Sequence, residues 1–180
     1  NTSAAPVANV LFRAENWVGA NDVSGLVRAM WDEGYLYLAA QINDDALVQE
    51  GREDLLVRGD AAEFFFDGNL QADFDVTSMN DDESHLVFSP GNFSGVSPSF
   101  WIYSPTSGSM AQAILFGVTQ SDVGYDLEIR LPWNELRGVP AERMVFGYAF
   151  ALDDDDSPGS AEQETQISTT TRLPYPNPTH

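Results

Sequence analysis

The clearest feature of the chain is a regular alternation of apolar and polar positions. Between residues 35 and 43, and again between residues 124 and 131, every second residue is apolar. This period of two is that of a β-strand with one face buried in a core and the other face in solvent. The pattern therefore predicts two long strands that each present one face to a shared core.

The first of these strands is expected to be the second arm of a hairpin. Residues 26–31 form the first arm, and Asp32-Glu33-Gly34 makes a three-residue loop between the arms. Loops of this length commonly join antiparallel strands when they contain a glycine that can take positive φ. The hairpin ends in two adjacent carboxylates, Asp44 and Asp45.

Shorter apolar or alternating segments occur along the rest of the chain. They lie at residues 7–13, 60–69, 73–77, 85–88, 100–103, 112–119, 145–152 and 164–168. Turn-forming Gly, Pro, Asp and Ser separate them. Only Pro132 marks a helix start, so we expect at most one short helix, near residues 132–137. The sequence therefore predicts an all-β fold, an antiparallel β-sandwich of the immunoglobulin-like or jelly-roll-like kind.

The alternation also predicts which residues fill the core. They are Leu36, Leu38, Ile42, Phe64, Phe66, Phe74, Leu127, Ile129, Phe146 and Phe150. A chain of 180 residues is long enough to bury such a core, so we expect residues 1–180 to form a single domain. The polar ends at residues 1–6 and 174–180 are typical of linkers, which favours a module of a larger protein.

The charge of the chain restricts its partners. There are 28 acidic residues and only 8 basic ones, all Arg, and the net charge is −20. Nucleic acid and anionic membrane surfaces need basic patches and are therefore poor partners for this chain. No apolar run long enough to insert in a membrane and no retained signal peptide is recognisable. Two compatible explanations of the acidity remain: carboxylates that bind calcium, or a surface adapted to high salt.

Acidic residues at the ends of predicted strands are the candidate calcium ligands. Adjacent carboxylates repel each other unless they are solvated or bound to a cation, and Ca²⁺ takes six to eight oxygen ligands. The candidates are Asp44, Asp45, Asp60, Asp67, Asp153, Asp154, Asp155 and Asp156. We expect at least one Ca²⁺ where strand ends meet at one edge; solvated loops are the alternative. The chain has no Cys, so thiolate metal sites and disulfides are excluded.

Four segments of the chain resemble the family 9 carbohydrate-binding modules and their relatives in the wider DOMON-like group of sandwiches. They are residues 27–38 followed by Asp44-Asp45, 59–67, 124–133 and 147–156. The resemblance implies a calcium-stabilised, non-catalytic module of a secreted or cell-surface protein. It also implies that the module is a monomer tethered to other domains, and that its partner is a polysaccharide or oligosaccharide.

The family clamps a sugar between two Trp side chains, and this chain keeps the arrangement only in part. The family's acidic strand residue matches Glu63. The first clamp Trp falls on Val57, and the second has only Tyr175 nearby. Where the family has an Arg and a further polar residue, this chain has Asp75 and Ala151. The resemblance therefore predicts the fold more completely than the sugar site.

Other aromatic side chains are candidates to replace the clamp. Phe93, Trp101 and Tyr103 lie in or beside a long loop at residues 89–99. Flat aromatic faces suit the C–H side of a sugar ring, and a carboxylate such as Glu63 accepts hydrogen bonds from its hydroxyl groups. The expected carbohydrate-binding residues are Glu63, Phe93, Trp101, Tyr103 and Tyr175. Ordinary core and loop packing is the alternative role for the aromatic residues.

Three other functions are alternatives. A structural or adhesion module without a sugar ligand is favoured by the missing clamp Trp. A haem-binding redox domain needs axial ligands, and His85 is the only His before the terminal residue. Glycoside hydrolysis needs two carboxylates that face each other across a cleft, and nothing in the sequence selects such a pair. We therefore expect that the module itself is not an enzyme.

Overall fold

The computed structural model describes residues 3–69, 81–104, 110–136 and 145–172, and over these residues the chain forms two antiparallel sheets. The strands are β1 (Ala5–Val7), β2 (Asn9–Phe12), β3 (Val23–Trp31), β4 (Tyr35–Asp44), β5 (Ala61–Asp67), β6 (Glu83–Ser89), β7 (Ser99–Ser104), β8 (Leu115–Ser121), β9 (Gly124–Pro132), β10 (Gly147–Asp154) and β11 (Thr165–Ser168). One sheet has the strand order β1-β3-β4-β9-β8, and the other has the order β2-β11-β10-β5-β6-β7. The predicted antiparallel β-sandwich is confirmed.

The core lies between the two sheets and contains the residues that the alternation predicts. Every predicted core residue that the structure describes is buried there, except Phe146, which is partly buried and packs against the cluster. Phe146 contacts Phe66 with ring centroids 5.3 Å apart. Phe74 lies outside the described residues. The apolar face of each alternating strand therefore forms one continuous core.

The predicted hairpin is formed by β3 and β4, and Trp31 lies opposite Leu36. Its loop is held by Asp32 and not by a left-handed glycine. One carboxylate oxygen of Asp32 accepts hydrogen bonds from the backbone N–H groups of Gly34 and Tyr35, each at 2.8 Å. The hydrogen bond from Gly34 contributes most to lowering the pKa of Asp32 below its usual value.

Over residues 132–136, the place of the expected short helix is taken by the end of β9 and a turn. The backbone N–H groups of Glu135 and Leu136 both donate to the carbonyl oxygen of Pro132, at 3.0 and 3.3 Å. Trp133 is buried, and its indole N–H donates to the carbonyl oxygen of Asp32 at 2.9 Å. This contact with the hairpin loop competes with a helix. The described helices lie elsewhere: a 3₁₀ helix at Glu53–Arg58, and α1 at Met110–Ala113. None of them is long enough to cross a membrane.

The six-stranded sheet is buried on both faces around β5. Phe64 and Phe66 face the core, whereas Glu63 and Phe65 face outward, yet all four are at most 1% exposed. On the outer face, Leu56 and Val57 of the 3₁₀ helix pack with Ala61, Val87, Trp101 and Tyr103. This second apolar layer excludes water from the outer face, so a polar group placed there is desolvated.

Gly124 begins β9 with a φ of +140°, a conformation that side chains disfavour. A Cβ atom at this position would lie 2.4 Å from the carbonyl oxygen of Ile42. We expect Gly124→Ala to lower the free energy of unfolding by about 1–3 kcal/mol or more. Gly117→Ala is the matched control, because a Cβ there meets no atom within 4 Å. Urea denaturation of both variants checks this, and equal midpoints would contradict it.

Candidate functional site

Glu63 lies at the centre of a buried group of polar side chains on the outer face of the six-stranded sheet. One carboxylate oxygen lies 2.5 Å from Nε2 of His85, and the other accepts a hydrogen bond from Nε2 of Gln166 at 2.5 Å. The same Gln166 nitrogen donates to Asp153 at 2.8 Å. All four residues are at most 2% exposed. We call Glu63, His85, Asp153 and Gln166 the polar cluster.

Burial controls the protonation of the polar cluster. It raises the pKa of Glu63 to about 7, and it raises the pKa of Asp153 well above its usual value. It lowers the pKa of His85 to about 3. Burial therefore favours the neutral form of His85 and brings the titration of Glu63 close to neutral pH, and a hydrogen bond joins the two side chains. Nε2 of His85 is committed to Glu63, which leaves it unsuited to serve as a haem ligand.

Aromatic rings enclose the imidazole of His85. Phe65 stacks on one side with ring centroids 4.1 Å apart, and Tyr103 stacks at 4.7 Å. The hydroxyl of Tyr103 donates to the carbonyl oxygen of Asp54. Trp101 is half-buried and pairs with Val87, which in turn pairs with Glu63. Two of the predicted aromatic residues, Trp101 and Tyr103, therefore lie on the face that carries Glu63.

The other predicted aromatic residues lie elsewhere. Phe93 is partly buried and packs against the core between the sheets. Tyr175 lies outside the described residues, as does Asp75. Val57 and Ala151 are fully buried on the outer face of the six-stranded sheet. The position that corresponds to the first clamp Trp is thus occupied by a small buried side chain.

Acidic side chains at or beside the ends of four strands, β3, β4, β5 and β10, converge in two groups. Asp44, Asp60 and Asp154 form the first group, which is buried, and Asp22, Asp45 and Asp156 form the second. Within each group, one oxygen from each carboxylate lies within 4.8 Å of the others. Two oxygens that bind the same Ca²⁺ at 2.3–2.6 Å are at most about 5 Å apart, so both groups have a spacing that Ca²⁺ can bridge.

Some carboxylate oxygens in these groups have no hydrogen-bond donor, as is expected if they bind a cation. One carboxylate oxygen of Asp154 and one of Asp156 are buried without a hydrogen-bond partner. Burial raises the pKa of Asp154 to about 8 and that of Asp156 to about 6. A buried acceptor without a donor is costly, and a hard cation with a preference for oxygen would satisfy it. The residues present therefore fit Ca²⁺.

Asp60 has a second role, because its two oxygens accept hydrogen bonds from the backbone N–H groups of Val48 and Asp155. Asp60 therefore holds two loops in place in addition to being a member of the first acidic group.

Three of the predicted metal ligands do not join either group. Asp67 lies at the opposite end of β5, where it pairs with Gly147. Asp153 belongs to the polar cluster. The carboxylate of Asp155 accepts a hydrogen bond from the backbone of Ser157 at 3.0 Å. Their assignment as ligands stays a prediction without geometric support.

Asp22 and Gln166 were not among the predicted site residues, and His85 was considered only as a haem ligand. The hairpin register contains a signal for Asp22: because Val23 pairs with Asp44, the residue before Val23 falls opposite Asp45. The backbone N–H of Asp45 donates to the carbonyl oxygen of Asp22 at 3.3 Å. No local pattern identifies His85 or Gln166, because β6 and β11 bring them to Glu63 from distant parts of the chain.

Comparison with known proteins gives a match to one family model and to several solved structures. The family model described as "Carbohydrate family 9 binding domain-like" matches residues 2–180. No curated protein is significantly similar in sequence.

The similar structures share the fold of this chain. A family 9 carbohydrate-binding module from Caldicellulosiruptor kristjanssonii in complex with cellotriose is 18% identical, with a TM-score of 0.68 over 94% of this chain and 73% of that one. A structure of such a module from the same organism in complex with glucose is 18% identical, with a TM-score of 0.67 over 94% and 74%. A putative carbohydrate-binding protein from Bacteroides uniformis is 8% identical, with a TM-score of 0.55 over 95% and 79%.

The resemblance inferred from four segments is thus confirmed by a match over almost the whole sequence. Members of this family are non-catalytic binding modules, in agreement with the expectation that the chain is not an enzyme. The chain belongs to the carbohydrate family 9 binding domain-like family.

Proposed function

We propose that the chain binds an oligosaccharide, or the end of a polysaccharide, at the polar cluster on the outer face of the six-stranded sheet. The observation that carries this proposal is the polar cluster itself, in which a carboxylate and an amide lie beside Tyr103 and Trp101. The family match supports it, as do the cellotriose and glucose in two structures of the same fold.

The chemistry of the face suits a sugar, but the site is closed. Glu63 is completely buried, and both of its oxygens already have partners within the chain. A sugar hydroxyl can reach it only by displacing the contact with His85 or with Gln166. Since Val57 cannot stack on a sugar, one aromatic face is missing. By analogy with base stacking on aromatic side chains, this loss weakens binding by about 1–3 kcal/mol, so we expect modest affinity.

Substitution of Glu63 tests this proposal. We expect calcium-loaded wild-type protein to bind soluble cello-oligosaccharides or insoluble glucan, xylan or chitin, and Glu63→Ala to lose the part of that binding that the polar cluster provides. Glu63→Gln keeps the shape of the side chain but cannot ionise, so it is expected to fold normally and to weaken binding less. Isothermal titration calorimetry and pull-down on insoluble polysaccharide measure both effects.

Glu33→Ala is the matched control, because Glu33 is exposed in the hairpin loop, outside the polar cluster. Thermal melting of each variant separates loss of binding from loss of folding. Equal binding by wild type and a folded Glu63→Ala variant would contradict the proposed site.

We also propose that calcium stabilises the module. Asp44, Asp60 and Asp154 would hold one ion, and Asp22, Asp45 and Asp156 would hold a second. The bound ion would supply positive charge that offsets the repulsion among three carboxylates. The three residues of the first group lie at the end of β4, the start of β5 and the end of β10. They therefore connect the two sheets at one edge.

We place the module in a secreted or cell-surface protein, tethered as a monomer that brings this protein to glycans. The millimolar calcium outside cells would keep both acidic groups occupied. The high net negative charge opposes self-association of the module.

A structural or adhesion module without a sugar ligand is the second candidate. The complete burial of Glu63 and Val57 favours it, because a closed polar cluster can simply stabilise the sheet. In that case Glu63→Ala lowers the melting temperature, and neither protein binds any saccharide in the panel.

A further inference from the structure

The outer face of the five-stranded sheet carries a depression that the proposed site does not include. Its volume is about 510 Å³, and residues of β3, β4, β8 and β9 line it. Small-molecule sites typically have volumes of roughly 300–1,000 Å³. The depression is therefore large enough for a ligand of a few sugar rings.

The ladder of the sheet determines the shape of this depression. One row of neighbouring residues across the four strands is Arg28, Ala39, Glu128 and Gly117, and the next row is Met30, Tyr37, Arg130 and Leu115. Ala39 and Gly117 leave a low floor between larger side chains. A Cβ atom placed on Gly117 would meet no atom within 4 Å, so the floor is open.

Two side chains at the rim are fixed in place. The hydroxyl of Tyr37 donates to Asp32 at 2.8 Å. The guanidinium of Arg130 lies 4.5 Å from the centre of the Tyr35 ring, and its Nε is buried without a hydrogen-bond partner. Groups that are already ordered lose little entropy when a ligand binds. The rim is therefore ordered before a ligand binds.

Apolar side chains extend the surface on both sides. Met30 is 58% exposed and Leu115 is 54% exposed, on opposite sides of Tyr37 and Arg130. Exposed apolar surface of this kind, bordered by polar groups, is typical of binding sites. Met30 and Leu115 suit the C–H faces of sugar rings, whereas the polar groups of the rim suit their hydroxyl groups.

We propose that this face is a second saccharide-binding surface, which takes a neutral oligosaccharide chain. A sugar hydroxyl both donates and accepts, and the rim offers donors from Arg28 and Arg130 beside an acceptor on Glu128. The net charge of −20 opposes both a polyanionic ligand and a second copy of the same chain. The inference rests on the proposed function only for the class of ligand, since it uses none of the residues of the polar cluster.

The positions of the two surfaces have a consequence for binding. They lie on the outer faces of different sheets, with the core between them. A short oligosaccharide cannot occupy both at once. The module would therefore hold two glycan chains, or two distant parts of one chain, and gain avidity on an insoluble polysaccharide.

The test uses cellohexaose and calcium-loaded protein that carries Glu63→Ala, which removes the first site. We expect saturable binding to remain, with chemical-shift changes at the backbone amides of Ala39 and Gly117. Adding Gly117→Ile fills the floor with a side chain that suits a strand, and should abolish these changes. Adding Arg130→Met should weaken binding about tenfold, as expected from the loss of a hydrogen bond to a charged group. Arg52→Met is the control, because Arg52 is an exposed arginine that does not line the depression.

Each outcome has a definite meaning. If cellohexaose binds wild type but not Glu63→Ala, the second surface is refuted and the proposed function stands. If binding in the Glu63→Ala background is unaffected by Gly117→Ile and Arg130→Met, the second surface is also refuted. If neither wild type nor Glu63→Ala binds, both proposals fail. Concentration-dependent dimerisation that Gly117→Ile abolishes would assign the face to self-association and overturn the inference.

Discussion

Removal of calcium is expected to lower the melting temperature of the wild-type protein by roughly 8–16 °C. An ion that binds only the native state at about a thousand times its dissociation constant contributes about 4 kcal/mol of stability. Each kcal/mol shifts the melting temperature of a domain of this size by about 2–4 °C. The structural reason is that Asp44, Asp60 and Asp154 place carboxylate oxygens within 4.8 Å of one another. Without a cation these groups repel, and an oxygen of Asp154 remains buried and unpartnered.

Differential scanning calorimetry with excess calcium and with a chelator measures this effect. In Asp154→Asn the difference between the two conditions is expected to shrink. Asp67→Asn is the matched control, because Asp67 lies at the other end of β5. An unchanged melting temperature on chelation and on calcium addition would refute the calcium sites.

Truncation of Phe64 is expected to cost about 3–5 kcal/mol of unfolding free energy. Phe64 is completely buried between the sheets, and it pairs with Leu86 on β6 and Phe150 on β10. Its ring lies 6.2 Å from that of Phe66. Phe64→Ala leaves a cavity that the two sheets cannot close, because strands on both sides of β5 hold its backbone.

Urea denaturation at saturating calcium measures this cost. Val18→Ala, at a position that is 87% exposed, serves as the control and should change stability by no more than about 0.5 kcal/mol. A loss below about 1 kcal/mol for Phe64→Ala would mean that the core is not where the alternation and the structure place it.

Local pattern was sufficient to predict most of the described strands and the core, although the strand predicted at residues 7–13 is divided into β1 and β2, and the one predicted at residues 73–77 lies outside the described residues. Each alternating segment puts its apolar side chains on one face, and a sheet buries that face whatever the order of its strands. The hairpin also fixes its own register, because its loop is short. A short loop places Asp22, just before β3, near Asp44 and Asp45 at the end of β4, so one of the two acidic groups could have been predicted in part.

The surroundings of Glu63 could not be predicted in this way. Alternation on β5 assigns Glu63 to the face away from the core, but it contains no information about what covers that face. The cover comes from the 3₁₀ helix, and the partners of Glu63 come from β6 and β11. The helix predicted to begin at Pro132 is a turn for a similar reason. The carbonyl oxygen of Asp32, distant in sequence, accepts a hydrogen bond from the indole N–H of Trp133.

The central claim is that a saccharide binds at the outer face of the six-stranded sheet. Its most direct measurement is a titration of isotope-labelled, calcium-loaded wild-type protein with cellotriose, followed by nuclear magnetic resonance. We expect saturable shifts at the backbone amides of Glu63 and His85 and at the indole N–H of Trp101, because a bound sugar must displace contacts within the polar cluster. Unchanged signals from these groups at millimolar cellotriose would contradict the claim.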